Sequence, residues 1–497
     1  MNVVSNNNDI ILTYQQKVAF DKLKSFCQNV GSRVFILSGY AGTGKTTLLR
    51  TFIKWLTEQG YTNSAEVSKT EREFLGKQFV PLASTGRAAK VICDKTGYTA
   101  STVHSWIYSF KGFNQDISKM VETIERNHNV DNTKQLLLDF GFFPLENRTD
   151  TTIYIIDEAS MISDVRSANP TQATFGSGKL LHDLLKYDPC GKFVFVGDDC
   201  QLPPINSNDS PALMPEYISN TYNLQVVTAS LTQIIRQGQD NDIILCSEKM
   251  RQLCANPPKV KWGKFPLKGY QHIKLTNTKT ELINKYIEDI KQNGYDASIM
   301  ITDANKGCNE LSSTIRKQLG FNDTRVMIGE LLLVTQNNLA TRLMNGDLVK
   351  VKSIGNRIEK AHLTFIDIEV EELTTKRMYR TMLVEDLLYS NNVNLTQFEQ
   401  KSLFIDFYHR MRAKGIKQDS ELYSYNLMND PFLNALRAVY GYAITCHKSQ
   451  GGEWPHVYLD IPRKLSHTPN RGTYQWLYTA ITRASDTLFV ANDFFIE

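Results

Sequence analysis

The sequence predicts an α/β protein: two parallel-sheet domains in tandem, with a small insert in the first and a β-rich insert in the second. Three observations predict it. Through roughly residue 235, short apolar β-branched runs alternate with helical patterns, the signature of parallel strands joined by crossover helices. The same alternation returns near Phe265 and again after Gly441. From Asp347 the apolar residues switch to period two, as in a small antiparallel sheet or barrel.

In chain order, the first domain (1–107 and 149–240) has strand candidates at 34–38, 79–83, 152–156, 192–196 and 225–228. Polar helical residues and the aromatic run Phe140, Phe142, Phe143 interrupt this rhythm between 108 and 148, which reads as the insert. The second domain (241–346 and 441–497) opens with a strand at 297–301 and a helix at 308–319, and closes with strands at 441–446, 457–461 and 488–491. Its insert, 347–440, holds alternating strands at 348–353, 363–370 and 378–384, then a polar helix at 397–414.

With 497 residues the chain is long enough for two to four domains, and 41% hydrophobic with 22% charged residues argues against disorder. Residues 1–8 lack the basic start and apolar core of a signal peptide, and no apolar run approaches the ~18 residues of a membrane span. Eight scattered cysteines without paired spacing read as reduced thiols, so the expected location is cytoplasmic and away from membranes. A net charge of +4 is too mild to identify a polyanion partner without local sites.

The chemistry begins at Gly39, where G-Y-A-G-T-G-K-T follows a strand and opens a helix. Its glycines turn backbone N–H groups toward phosphates at the positive end of the new helix. Gly42, Thr43, Gly44, Lys45, Thr46 and Thr47 are the nucleotide-binding candidates; Lys45 reaches the β/γ-phosphates and the Thr46 hydroxyl ligates Mg²⁺. Asp157 and Glu158 end a buried strand at the sheet edge where ligands bind. One carboxylate there holds the metal and the other polarises the attacking water, which assigns Asp157 to Mg²⁺ and Glu158 to the water. In the strand-G-D-D-C-Q-L-P-P run, Gln201 is placed to sense the γ-phosphate. Arg236 in L-T-Q-I-I-R-Q and Arg483 in Y-T-A-I-T-R-A are candidates for stabilising transition-state charge.

With T-C-H-K-S-Q-G-G-E at Thr445–Glu453 added, the chain resembles the superfamily 1 helicases, within them the RecD-like, Dda-like 5′→3′ branch (superfamily 1B). The resemblance spans roughly residues 12–490. It rests on L-T-Y-Q-Q, the phosphate loop, A-S-T-G-R-A-A-K, S-T-V-H-S, D-E-A-S, G-D-D-C-Q-L-P-P, L-T-Q-I-I-R-Q, N-G-D, H-K-S-Q-G and Y-T-A-I-T-R-A, in the family's order. It implies two RecA-like domains clasping ATP·Mg²⁺, an adenine contact for Gln16 and a ribose contact for Glu453. Thr85, Arg87, His104, Thr445 and His447 fall in motifs that line the single-strand path, and their side chains suit phosphate contacts. Ser84 stands where the family usually has proline.

The inserts resemble the branch's pin or wedge and its SH3-like element, which makes Phe142 and Phe143 wedge candidates; a small satellite core is the alternative for this aromatic cluster. The implied activity is ATP-dependent 5′→3′ unwinding, with single-stranded DNA and single-strand/duplex junctions as partners. Single-strand-binding or recombination proteins are implied in turn, in DNA replication, repair or recombination. An ATPase that remodels protein–DNA complexes without unwinding, or an RNA helicase, carries the same motifs.

Overall fold

The structure is a computed structural model and describes residues 11–68, 70–72, 75–114, 116–127, 136–145, 151–166, 173–234, 241–338 and 340–497. The chain divides into two compact units: residues 1–107, 143–165 and 179–240 form the first, and 108–142, 166–178 and 241–497 the second.

The first unit is built on a parallel sheet. Its strands run, edge to edge, Val226–Leu231, Val34–Gly39, Lys192–Gly197, Thr152–Asp157, Gln78–Ala83 and Thr62–Asn63, with the short Ser101–Thr102 also beside Gln78–Ala83. The central strands are buried almost end to end, which is why V-F-I-L and I-Y-I-I read as continuous apolar runs. Helices Tyr14–Gln28 and Lys45–Glu58 set Ala19, Leu23, Phe26, Leu48, Phe52 and Leu56 against Phe35, Leu37, Ile153 and Val194. Each of these side chains larger than alanine contributes about 1.5–3 kcal/mol when fully buried. Because all strands point one way, every loop that leaves a strand's carboxyl end lies along one edge.

The second unit holds a parallel sheet in the order Ile273–Thr276, Ala484–Ala491, Trp454–Leu459, Ser298–Thr302 and Ala443–Thr445. Beside it stands an antiparallel sheet: Met378–Val384, Leu363–Glu372, Leu348–Lys360, Leu331–Val334 and Ala438–Tyr440. Two parallel α/β sheets and a β-rich insert are therefore present, as the sequence predicts. The antiparallel sheet starts at Leu331, ahead of the expected boundary at 347. L-L-L-V is a four-residue apolar run without alternation, and periodicity cannot distinguish it from a buried parallel strand.

The insert at 108–148 also differs from expectation. Ser109–Phe113 and Leu138–Gly141 pair antiparallel, and Ala173–Phe175, from beyond the expected insert, adds a third strand. Three residues give no period to read. Helix Ile117–Asn127 buries Ile117, Met120 and Val121 in one core with Leu363, Phe365, Phe404 and Phe407, and Ser118 Oγ donates to Gln418 Oε1 at 2.8 Å. Inserted in sequence within the first domain, this element is thus packed as part of the second unit.

Candidate functional site

Strand Val34–Gly39 delivers the phosphate loop. A Cβ at Gly39 would lie 3.0–3.1 Å from Thr43 Oγ1, Leu231 Cβ and Lys45 Cγ, so any larger residue would push these side chains aside. Gly42 (φ 77°) and Gly44 (φ 75°) take the left-handed backbone that bends the chain into helix Lys45–Glu58. Lys45 Nζ donates to the carbonyl oxygens of Gly39 (2.6 Å) and Tyr40 (3.0 Å), and Thr43 Oγ1 donates to Tyr40 O at 2.8 Å. Thr46 occupies the first turn of that helix beside Lys45, and Thr47 is exposed.

Three neighbouring strands bring the remaining candidates to the same edge. In register, Gly39 lies beside Leu231, Ser38 beside Gly197, and Asp157 beside Ala83. Asp157 is half-buried and accepts from the Glu158 amide at 2.9 Å. Burial, then the adjacent Glu158 carboxylate, lift its carboxyl to about 6, against the pull of Lys45 and Lys95. Glu158 sits at φ 51°, ψ 39°, a left-handed conformation that is uncommon for a residue with a Cβ and costs of order 1 kcal/mol. Gln201 is 3% exposed, and its backbone amide donates to Asp198 O at 3.2 Å. Lys45, Asp157 and Gln201 thus leave three neighbouring strands at one carboxyl edge. Thr85 and His104 leave the next strands along that edge. Thr85 caps helix Gly86–Thr96, which carries Arg87, by accepting from Ala88 N (3.2 Å). Burial pulls His104 down to about 4.

In the second unit the candidates divide between the two ends of the sheet. Thr445 and His447 leave the carboxyl end of Ala443–Thr445, where Thr445 caps the turn Cys446–Ser449 and burial lowers His447. Glu453 and Arg483 precede strands Trp454–Leu459 and Ala484–Ala491, at the opposite end. Arg483 is 6% exposed; Nε donates to Thr479 O (3.0 Å), Nη1 to Gly452 O (3.1 Å) and Nη2 to Thr482 Oγ1 (3.1 Å). Its guanidinium is therefore tied to the loop that carries Glu453. Arg236 lies outside the described residues. Phe140, Phe142 and Phe143 part ways: Phe140 stacks on Phe175 (5.0 Å), Phe142 meets the Tyr108 ring edge-on (6.3 Å), and Phe143 is 66% exposed.

Comparison with known proteins adds to this geometry. Residues 12–256 match the model of an AAA domain, and residues 440–491 that of the UvrD-like helicase C-terminal domain. The two matches fall in the order that the superfamily 1B, RecD-like resemblance implies. An uncharacterized protein of Acanthamoeba polyphaga mimivirus is 21% identical across 95% of this chain and 98% of its own length. The ATP-dependent RecD2 DNA helicase of Deinococcus radiodurans is 24% identical over 93% of the chain, which spans only 47% of that longer protein. The ATP-dependent DNA helicase dda of Enterobacteria phage T4 is 24% identical over 84% of the chain and 80% of its own length.

Sequence reasoning missed two residues of the first unit. Gln15 Nε2 donates to Thr232 Oγ1 (2.9 Å), and its Oε1 accepts from the amides of Thr232 and Gln233 (2.9 Å each), so it grips the start of the arginine-bearing L-T-Q-I-I-R-Q motif. Lys95, at the end of helix Gly86–Thr96, adds positive potential at Asp157. Gln15 was legible as one of two adjacent glutamines; nothing in the sequence marks Lys95.

Proposed function

We propose that this chain is an ATP-dependent DNA motor that moves 5′→3′ along single-stranded DNA and opens the duplex ahead of it. The observation that carries the reading is the alignment of the phosphate loop, Asp157–Glu158 and Gln201 on three neighbouring strand ends, with Thr85 and His104 farther along the same edge. A nucleotide site and a phosphate-contacting path on one rigid sheet let hydrolysis in one alter grip in the other.

The residues present fit ATP and magnesium. The left-handed turn at Gly42 and Gly44 opens a helix without a side-chain cap, whose first N–H groups suit phosphate oxygens, and the Thr46 hydroxyl with the Asp157 carboxylate forms the hard-oxygen donor set Mg²⁺ prefers. When bound, the ion neutralises charge on the β- and γ-phosphate oxygens. Lys45 exchanges the carbonyls of Gly39 and Tyr40 for phosphate oxygens. Glu158 accepts the proton of the attacking water, and Gln201 orients that water toward the γ-phosphate. Arg236 and Arg483 stabilise charge developing on the transferred phosphate. Gln16 and Glu453 are assigned to the adenosine. Thr85, Arg87, His104, Thr445 and His447 bind the DNA backbone through phosphate contacts that read no sequence. Single-strand-binding or recombination proteins are the partners such a motor meets on its substrate. No helix among the described residues is long and apolar enough to cross a membrane.

ATPase and strand displacement measured side by side on 5′-tailed and 3′-tailed duplexes of DNA and RNA test the proposal. Unwinding of the 5′-tailed DNA alone is expected. Preference for the 3′ tail would overturn the polarity, RNA preference the substrate, and DNA-stimulated ATPase without displacement the unwinding itself.

A further inference from the structure

Between Glu248 and Glu281 the chain contains no Asp or Glu, yet it carries Lys249, Arg251, Lys259, Lys261, Lys264, Lys268, Lys274 and Lys279. In a protein with 56 basic and 52 acidic residues, this is a local break from balance. At its centre is K-V-K-W-G-K, Lys259–Lys264. Trp262 is 46% exposed, an unusual position for the largest apolar side chain. Its indole is held edge-to-face by His467 (4.9 Å, 77°) and Phe494 (5.4 Å, 80°), and Phe494 is itself 46% exposed. Among the described residues, Lys259, Lys261, Lys264 and Lys268 have no carboxylate partner, whereas nearby Arg463 and Lys464 pair with Asp493 and Asp303.

The loop is anchored. Thr468 N donates to Lys261 O (2.8 Å), Gly263 N to Ser466 O (2.7 Å) and Phe265 N to Phe495 O (2.7 Å). A Cβ at Gly263 would lie 2.5 Å from Pro469 Cγ, so the chain turns tightly against that ring. The segments that hold it follow strands Trp454–Leu459 and Ala484–Ala491, so the exposed indole stands at the carboxyl edge of the second parallel sheet. Thr445 and His447 leave that same edge two strands from Trp454–Leu459, about 10 Å along it at the usual strand spacing.

We infer that Trp262, flanked by Lys259, Lys261 and Lys264, is a stacking platform for single-stranded nucleic acid that extends the strand path beyond Thr445 and His447. An aromatic face among lysines without a carboxylate partner, one of which (Lys264) donates to the Phe494 carbonyl, fits an unpaired base and its phosphates; a duplex offers no free base face along its length. The inference rests on the DNA-motor reading and deepens it by adding a binding subsite.

Fluorescence anisotropy of a labelled oligo-dT, measured across a salt series, tests it. Trp262→Ala should weaken binding about tenfold, the scale of one lost base stack, and Trp262→Phe should recover most of it. A Lys259→Ala/Lys261→Ala/Lys264→Ala variant should flatten the salt dependence by about 2 in slope, at roughly 0.7 per lost contact. Melting temperatures identify any variant that fails to fold. Wild type that does not bind oligo-dT would sink the motor reading. Wild type that binds and unwinds, with folded variants of unchanged affinity and salt slope, would overturn the platform alone.

Discussion

The side-chain amide of Gln16 donates to the carbonyl oxygen of Gly44 at 3.2 Å and to that of Thr43 at 3.3 Å, fastening the first helix to the back of the phosphate loop. Its oxygen accepts from the Thr13 amide at 3.0 Å, and Thr13 caps the helix in return. Both donors and the acceptor are thus engaged within the protein, and Gln16 is 2% exposed. An adenine contact for Gln16 requires it to release part of this brace.

Gln16→Ala should therefore lower stability as well as nucleotide affinity. Two loop carbonyls and one helix-cap amide lose their partner, at about 1–3 kcal/mol for each group left buried without one. Thermal unfolding should fall by several degrees without nucleotide, and ATP should bind about tenfold more weakly. Unchanged melting with weakened ATP binding would make Gln16 an adenine contact and not a brace.

Glu158→Gln should bind ATP·Mg²⁺ normally and turn it over at least ~10²-fold more slowly, the scale of a lost general base. Single-turnover hydrolysis alongside nucleotide titration separates the two effects. Loss of binding instead would exchange the roles of Asp157 and Glu158. Glutamine keeps the chain length, so the left-handed backbone at this position is retained in the comparison.

How far the sequence spoke depended on the range of the interaction. The phosphate loop, the acid pair and Gln201 were legible because each is a local pattern of strand, turn and chemistry. The strand Leu331–Val334 was not, since four leucine-like residues suit either sheet. Ala173–Phe175 was too short to show a period, and its pairing with Leu138–Gly141 depends on a partner more than thirty residues away in sequence. The brace made by Gln16 and the grip of Gln15 on Thr232 are long-range contacts of polar side chains, which no periodicity records. The acid-free basic run around Trp262 was visible in the residues and went unread, because net charge averaged it away.

Arg483→Ala should reduce turnover by at least ~10²-fold while leaving nucleotide affinity within a few-fold. It should also lower the melting temperature, because the carbonyls of Thr479 and Gly452 lose their donor. Arg483→Lys keeps a charge but not the planar fork, so it should recover part of the stability and little of the rate. Full turnover in a folded Arg483→Ala protein would assign this residue to the second unit's structure alone.

Burial holds His104 at about 4, below the ordinary 6.5. Between those values the unfolded chain binds a proton that the folded chain refuses, so stability falls as pH drops through that window and is level above it. His447 is displaced in the same direction. Asp157, raised to about 6, opposes them, because its folded form takes up a proton first. His104→Gln should therefore make the melting temperature less sensitive to pH between 6.5 and 4, with little change at pH 8. An equally steep decline in the variant would show that the folded state protonates His104 at its ordinary value.

The aromatic run of the insert gives the last test, because its members have different surroundings. Phe140 stacks on Phe175, meets Phe110 at 5.7 Å and packs against the core that holds Phe365 and Phe404, and Phe140→Ala should cost about 2 kcal/mol of stability, less than a fully buried ring. Phe142 is half-buried beside Tyr108, and Phe143 is 66% exposed, a surface position whose removal should leave folding intact. If this end of the insert splits the duplex, Phe142→Ala/Phe143→Ala keeps DNA-stimulated ATPase and loses strand displacement on a 5′-tailed duplex. The strand Leu138–Gly141 before these residues is pinned between Ser109–Phe113 and Ala173–Phe175, and the insert's helix is anchored in the core it shares with Phe365 and Phe404. A wedge needs such a rigid backing, since an element that yields under load cannot part base pairs. Parallel loss of ATPase and displacement would mean that the double variant damages the core and that the strand-splitting surface lies elsewhere.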